Sequence, residues 1–433
     1  MKKIALMIMA SALFAISCDP DLNTPKTAEV TITLASEGEP FEQADITVTV
    51  KDNNGSATYE AKTDDKGIAV FAIPSGLYSA SATYRKDAST IFNGLNSNIA
   101  VSAGTDVSFE IEMKSSKSSQ IIIKELYFGG CKQNDGTKNF LYDGYMILYN
   151  NTDVPADASD ISFAFASPSN AHANNKYRGE DGNLRYEGEG WIPAAFSIWW
   201  FDSAVEIPPY SQIVIALCGA VDHTQTYSNS VDLSKGEYYC MYDPESGFNN
   251  TTRYPAPSAA IPSTHYLKTY RFGLGSAWAY STIDPAMYII NHAGIKDFTK
   301  NPDNYDLTDG EKLPNVKIPI DWVLDGVEIY TTTSDNNGKR LTSEIDNGYL
   351  MFTNTFGFTA YRNVDKDATE AIEGNKEKLV YGYKMGTEDQ EGSTDPSDID
   401  AEASIKNGAI IIYKDTNNST YDFHQRRQAS IKQ

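Results

Sequence analysis

The chain has 433 residues, with 36 Lys and Arg against 58 Asp and Glu and a formal net charge of -22. So acidic a surface offers no basic patch to displace counterions from phosphates, which excludes DNA, RNA and polybasic adhesion to anionic lipid. The length allows two or three domains with sizeable cores, and 27 Tyr alongside abundant Thr, Ser, Asn and Gly is the composition of a β-rich secreted protein.

Lys2 and Lys3 precede an apolar run from Ile4 to Ile16, and Cys18 follows with Asp19-Pro20-Asp21 directly behind it. The run is shorter than the ~20 residues a bilayer span needs, so residues 1–18 are read as a secretory signal. Ala15-Ile16-Ser17-Cys18 resembles the lipobox of bacterial lipoproteins, although Ala15 stands where leucine is usual. The acidic residues after Cys18 resemble the export signal of surface lipoproteins in the Bacteroidetes. The two resemblances imply acylation of Cys18 and a surface-exposed position on the outer membrane; the alternative is an ordinary cleaved signal with an incidental cysteine. Several acyl chains on one residue anchor durably, at ~0.8 kcal/mol per buried methylene. Residues 19–27, with Pro20 and Pro25, form a short polar tether.

From Ala28 the pattern alternates strictly: Val30, Ile32 and Leu34, then Ile46, Val48 and Val50, then a turn at Asp52-Asn53-Asn54-Gly55. Period two with Asn-Gly punctuation predicts antiparallel strands. Thr63-Asp64-Asp65-Lys66-Gly67-Ile68-Ala69-Val70-Phe71 and Pro74-Ser75-Gly76-Leu77-Tyr78 follow, and Val107, Phe109, Ile111 and Met113 close the unit. These two motifs resemble the carboxypeptidase-regulatory-like family, which implies a small prealbumin-like or Ig-like sandwich over 28–114, used as a stalk. Gly67 and Gly76 are expected to supply positive φ for tight turns. Phe71 and Tyr78 are expected in the core.

Lys114 to Ser119 reads as a polar hinge and domain boundary. Beyond it, short strands are expected within 121–130, where the strand runs into a glycine turn, and at 145–151, 212–217, 325–330, 409–413 and 415–423, separated by long polar loops. The stretches 123–130, 145–152, 211–216, 220–223, 229–234, 322–328 and 415–423 together resemble the lamin-tail immunoglobulin-like fold. They resemble more closely a Bacteroidetes lipoprotein family of unknown function built on that fold. Over 120–433 this implies a larger lamin-tail (Ig-like) β-sandwich, so the whole chain is expected to be all-β. One such sandwich needs about 100 residues, and the excess is placed in insertions near 150–205 and 240–315.

The search for chemistry yields no catalytic constellation. The five histidines, His172, His223, His265, His292 and His424, share no HExxH or helical spacing, and no G-x-S-x-G elbow occurs. Asp222-His223 invites a triad reading, against which stands a histidine that fixes its own loop. Cys131, Cys218 and Cys240 are widely spaced and allow at most one disulfide; no CxxC is present. Asp395, Asp398, Asp400 and Glu402, or Asp52 to Gly55, carry the hard oxygens calcium prefers, but neither follows an EF-hand loop, and solvated acidic loops are the reading adopted. No metal and no cofactor is therefore expected.

Trp191, Trp199, Trp200 and Trp278 are the expected ligand-binding residues, because rings exposed on sandwich loops stack on sugars or hold peptide side chains; the alternative packs them beneath the loops. The family resemblance implies a non-catalytic companion of a TonB-dependent transporter and its lid lipoprotein of the SusC/SusD type, with a peptide or glycan ligand. The alternatives are a surface glycan hydrolase with carboxylates in the inserted loops, and a purely structural or adhesive surface protein.

Overall fold

A computed structural model describes residues 27–53, 57–86, 90–117, 119–179, 183–307, 314–353, 355–387 and 393–432. Cys18, the tether up to residue 26, and Asn54-Gly55 lie outside the described residues. Within them the chain is all-β, and no helix is long and apolar enough to cross a membrane.

The alternation from Ala28 produces the first strand, Thr27–Ser36, whose Val30, Ile32 and Leu34 are fully buried while the residues between them face outward. It pairs antiparallel with Ile68–Pro74 and parallel with Val107–Lys117. Thr47–Asp52, Thr58–Lys62, Gly76–Arg85 and Thr90–Val101 form the opposing layer, joined to the first through Val107–Lys117. Between the layers lie Val48, Val50, Phe71, Ile73, Tyr78, Ile99 and Ile111.

Both recognised motifs have local physical causes. Thr63 Oγ1 donates to Gln43 O at 2.7 Å and accepts from Ile46 N, while Asp64 Oδ1 accepts from the N–H groups of Lys66 and Ile68, closing a turn. Gly67 is required in that turn: φ is +73°, and a Cβ would stand 2.1 Å from Phe41 O. Gly76 differs from expectation, since its φ is not positive. There a side chain would instead meet the Tyr78 ring, at 3.0 Å, and Tyr78 OH reaches back to donate to Pro74 O at 3.0 Å.

The polar stretch expected as a hinge is mostly strand, because Val107–Lys117 pairs with Thr90–Val101 as far as Thr90 opposite Lys117. The first core ends at Met113 and the next begins at Ile121.

The second unit is built on a 12-stranded sheet. Ile121–Tyr127 lies between Tyr145–Asn150 and Thr359–Arg362, with Phe423–Arg426 beyond the latter. In the other direction the sheet continues through Gln212–Ala216, Tyr239–Met241, Tyr266–Arg271, Ser197–Trp200, Ile161–Phe165, Ala286–Asn291, Val323–Thr331 and Leu350–Phe352. It curls on itself, so that Ile123, Met146, Phe163, Trp199, Ile215, Ile289 and Val327, from strands all along it, share one core.

The segments 150–205 and 240–315 are therefore woven into this sheet, contributing Ile161–Phe165, Ser197–Trp200, Tyr266–Arg271 and Ala286–Asn291. A three-stranded sheet of Trp191–Ala194, Asn315–Pro319 and Tyr305–Asp306 covers the outer face of that half and makes a second core with Tyr186, Trp200, Tyr288 and Ile318. A strand buried on both faces has no reason to alternate. ISFAF at 161–165 is accordingly buried at every position.

Gly38 and Gly67 separate two costs of replacing glycine. Both have positive φ, +79° and +73°, but around Gly38 nothing lies within 4 Å of a Cβ. Gly38→Ala is expected to cost about 1 kcal/mol and Gly67→Ala at least about 2 kcal/mol more. Urea denaturation of the two variants checks this, and equal midpoints would refute it.

Candidate functional site

The recognised motifs of the second unit converge on buried charge. Arg362, fully buried, donates from Nη2 to Asp325, stands 3.4 Å from Asp415 and 3.8 Å from Asp422, and gives its Nε–H to Ile123 O at 2.7 Å. Burial pushes the Asp325 and Asp422 carboxyls up and the Arg362 guanidinium pulls them back. Arg340, also fully buried, pairs with Glu328 at 2.7 Å and donates to the carbonyls of Ser169 and Asp284. Asp346 accepts from Ser419 N and Oγ at 2.7 and 2.6 Å. The charged side chains of the stretches 322–328 and 415–423, Asp325, Glu328, Asp415 and Asp422, are thus closed to solvent.

Lys124 is likewise fully buried: it pairs with Glu402 at 2.8 Å, donates to Gln212 Oε1 at 2.7 Å, and lies over the rings of Tyr149, Tyr361 and Tyr413. Against its own burial, Lys124 holds the Glu402 carboxyl below the usual carboxylate range.

The four tryptophans expected to bind ligand are core residues. Trp199 and Trp278 are fully buried, and Trp191 and Trp200 are 8% and 6% exposed. Trp199 stacks on Phe248, Trp278 packs on Phe165, and Trp191 packs on Tyr186 while donating to Glu189. Trp199 and Trp200 point to opposite faces of a sheet covered on both sides, so each enters a different core. Their faces are occupied by protein and offer no stacking surface.

The remaining candidates are also accounted for by local bonding. His223 Nε2 lies 2.6 Å from Gly219 O, and Asp222 turns instead to Thr224 and Gln225, so the adjacent pair is not a dyad. Asp395 accepts from the N–H groups of Val364 and Ser397, and Asp400 caps the helix Ala401–Lys406 through Ala403 N. Among the described residues no group of three His, Cys, Asp or Glu could hold a metal ion. Cys131, Cys218 and Cys240 are free and buried, with burial pushing the Cys131 and Cys240 thiols up to about 12. His172 and Asp284 form a pair the sequence did not indicate, at 2.6 Å, and Ser281 Oγ donates to the other Asp284 oxygen at 2.8 Å.

A cleft of about 790 Å3 opens where the two sandwiches meet. Among the described residues, Lys51, Asn53 and Ser79 come from the small sandwich, and Arg178, residues 183–187, Tyr330, residues 339–351 and residues 418–421 supply the rest. Tyr421 bridges the two units, sharing a hydrogen bond with Ser81 Oγ and lying under Lys51 Nζ at 5.9 Å. Tyr349 is 41% exposed, and its ring is stacked on the nearly buried Tyr330 at 4.2 Å and 16°. Leu184, Leu341 and Leu350, all buried, add the apolar part of the lining. The volume falls within the ~300–1,000 Å3 usual for small-molecule sites. Its residues come from five stretches far apart in the chain, brought together only by the fold.

Fold and cleft together define a two-sandwich, all-β protein with a concavity of small-molecule size at the junction. The chain belongs to the family described as protein of unknown function (DUF4876), whose sequence model matches residues 208–430. The crystal structure of a DUF4876 family protein from Bacteroides thetaiotaomicron is similar over 92% of this chain and 94% of that one, with a TM-score of 0.51 and 21% identity, a likeness of fold. The Bacillus anthracis TIE protein and the major pilin subunit BcpA of Bacillus cereus match far more loosely, with TM-scores of 0.18 and 0.17, identities of 11% and 13%, and coverage of 68% and 42% of this chain and 31% and 48% of theirs. A comparison with curated proteins gives no match.

Two consequences of the buried charges are testable by urea denaturation. Arg362→Met leaves Asp325, Asp415 and Asp422 without their cation and is expected to cost about 3–5 kcal/mol near neutral pH. The loss should shrink towards pH 5, where the carboxyls can take up protons. Asp143 accepts from Ser230 at 2.5 Å but has one oxygen without a partner, and burial raises it to about 6. Between pH ~4 and ~6 the native state keeps a proton that the unfolded chain releases, so this contribution to stability falls as pH rises, by about 2–3 kcal/mol in all. Asp143→Asn should remove that part of the slope; parallel pH profiles for variant and parent would refute the assignment.

Proposed function

We propose that this protein is a cell-surface lipoprotein, fastened through Cys18, that binds a peptide or glycan without transforming it. It serves a TonB-dependent uptake complex of the SusC/SusD type. The cleft between the sandwiches carries the reading: it joins concavity, an exposed ring held in place by a second ring, and polar groups from both units. Support comes also from the leader with its Cys18 and acidic flank, from family membership, and from a fold shared with a Bacteroides protein. The small sandwich acts as a stalk and as one wall of the binding cleft. No cofactor takes part.

The test uses the full chain in a Bacteroidetes host. Cys18→Ser is expected to move the protein from the membrane to the soluble fraction. Immunoprecipitation of the parent protein from detergent-solubilised outer membranes is expected to recover a TonB-dependent transporter. Unchanged membrane association of Cys18→Ser would remove the anchor, and recovery of no transporter would remove the uptake role.

A further inference from the structure

We propose that Arg253 is the anchor of a buried anion site in the core of the large sandwich, and that the site takes a halide ion of the chloride class. Arg253 does not line the cleft, so the inference is separate from the binding role stated above.

An asparagine turn puts the guanidinium in place. Asn250 Oδ1 accepts from Thr252 N and Arg253 N, both at 3.1 Å, and Asn250 O accepts from Tyr254 N at 2.8 Å. Gly219 N donates to Arg253 O at 2.9 Å, which ties the turn to the chain directly after Cys218. Arg253 is left only 7% exposed, with its guanidinium 4.7 Å from the centre of the Tyr280 ring. Cys218, Tyr254, Trp278 and Tyr280 belong to the main core together with Trp199 and Phe248.

Donors outnumber acceptors at this corner. Among the described residues Arg253 Nε and Nη2 are buried without an acceptor, and so are the indole nitrogens of Trp199 and Trp278. Tyr254 sits between those two rings: its own ring centre is 6.0 Å from that of Trp199, and its hydroxyl accepts from Trp278 N at 3.1 Å.

The charge is not balanced either. Tyr280, Cys218 and Tyr254 are the ionisable groups that act most strongly on Arg253. Burial pushes Tyr254 up to about 12 and raises Tyr280 and Cys218 as well, so all three are neutral near pH 7. Asp143 acts on Cys218, but one of its oxygens is bonded to Ser230 and the other has no partner, so it does not pair with the guanidinium.

Arginine keeps its proton at any pH the fold survives, and a buried ion without a counter-ion is costly. A water molecule accepts from the orphaned donors but leaves the charge unbalanced, whereas a monovalent anion does both. Multiply charged oxyanions cost far more to strip of water than a halide does, and the rings around Arg253 replace none of that hydration. The chemistry of the corner therefore selects a small, weakly hydrated, singly charged ion.

The test uses the full chain dialysed into sodium fluoride, with chloride or bromide then exchanged for fluoride at constant ionic strength. General salt effects favour the more strongly hydrated fluoride, so specific binding runs against them. Tm is expected to rise by about 2 °C or more and to level off as bromide reaches about 100 mM. Arg253→Met should abolish the rise, and Arg253→Lys, which keeps the charge without the planar fork, should weaken it. Lys296→Met, at a lysine 44% exposed and paired with Asp202, serves as the control and should leave the rise unchanged. Crystals of the parent protein soaked in sodium bromide should show an anomalous peak about 3.2–3.5 Å from Arg253 Nε or Nη2. That readout needs no variant, so it decides the matter even where a substitution prevents folding. Water alone beside Arg253, a rise retained by Arg253→Met, or a bromide peak with no saturable rise, which marks an adventitious ion only, would each overturn the inference.

Discussion

The charge cluster at Arg362 holds together parts of the chain that lie far apart in sequence. Its guanidinium joins Asp325 of one strand, Asp415 and Asp422 of the C-terminal segment, and the carbonyl of Ile123 in the central strand. Asp325 in turn accepts from Ile123 N at 2.6 Å, and Asp415 accepts from Ser119 N at 2.9 Å, where the chain passes from the small sandwich into the large one. Ionised groups out of water are costly unless each finds partners, so this arrangement tolerates little alternative geometry. Packing alone would fix the sheet less uniquely, since apolar side chains slide and exchange more readily than a guanidinium between carboxylates.

From that frame the rest of the large unit follows. A twelve-stranded sheet that curls around one core leaves an outer surface which would be apolar and exposed on its aromatic half. The three-stranded sheet with Trp191 and Ile318 covers that half, and loops and short helices around Ile399 and Tyr413 cover part of the other. At the junction with the small sandwich the surface opens into the cleft. There the framework segments 339–351 and 418–421 emerge from the buried network and present Tyr349, Asn347 and Thr420 to solvent. The cleft is therefore the exposed rim of the same structure that fixes the interior. Its tyrosine platform inherits rigidity from the charges beneath, as Lys339 shows by donating to Gly348 O at 2.6 Å beside Glu328 and Asp346.

Aromatic residues illustrate how burial decides role. Trp199 and Tyr349 are both suited to stacking, yet one stacks on Phe248 inside the protein and the other shows a face to water. The difference lies in what covers the sheet on each side, which neither residue's neighbours in sequence encode. Lys124 makes the same point for charge, since a lysine between isoleucine and glutamate in a strand gives no sign that three tyrosines and Glu402 enclose it.

By itself the sequence determined what depends on local geometry. Val30, Ile32 and Leu34 alternate because one face of their strand meets a core and the other meets water, and Gly67 is glycine because its turn forbids a Cβ. The all-β class was legible for that reason, as was the alternation of the first strand. Only the tertiary structure decided which sheet faces are covered twice. That choice turned Trp191, Trp199, Trp200 and Trp278 into core, drew residues 150–205 and 240–315 into the sheet, and brought Lys51, Arg178, Tyr349 and Tyr421 to one cleft. Such outcomes rest on contacts between residues hundreds of positions apart, where hydrophobic burial and charge pairing act through space and leave no period in the chain.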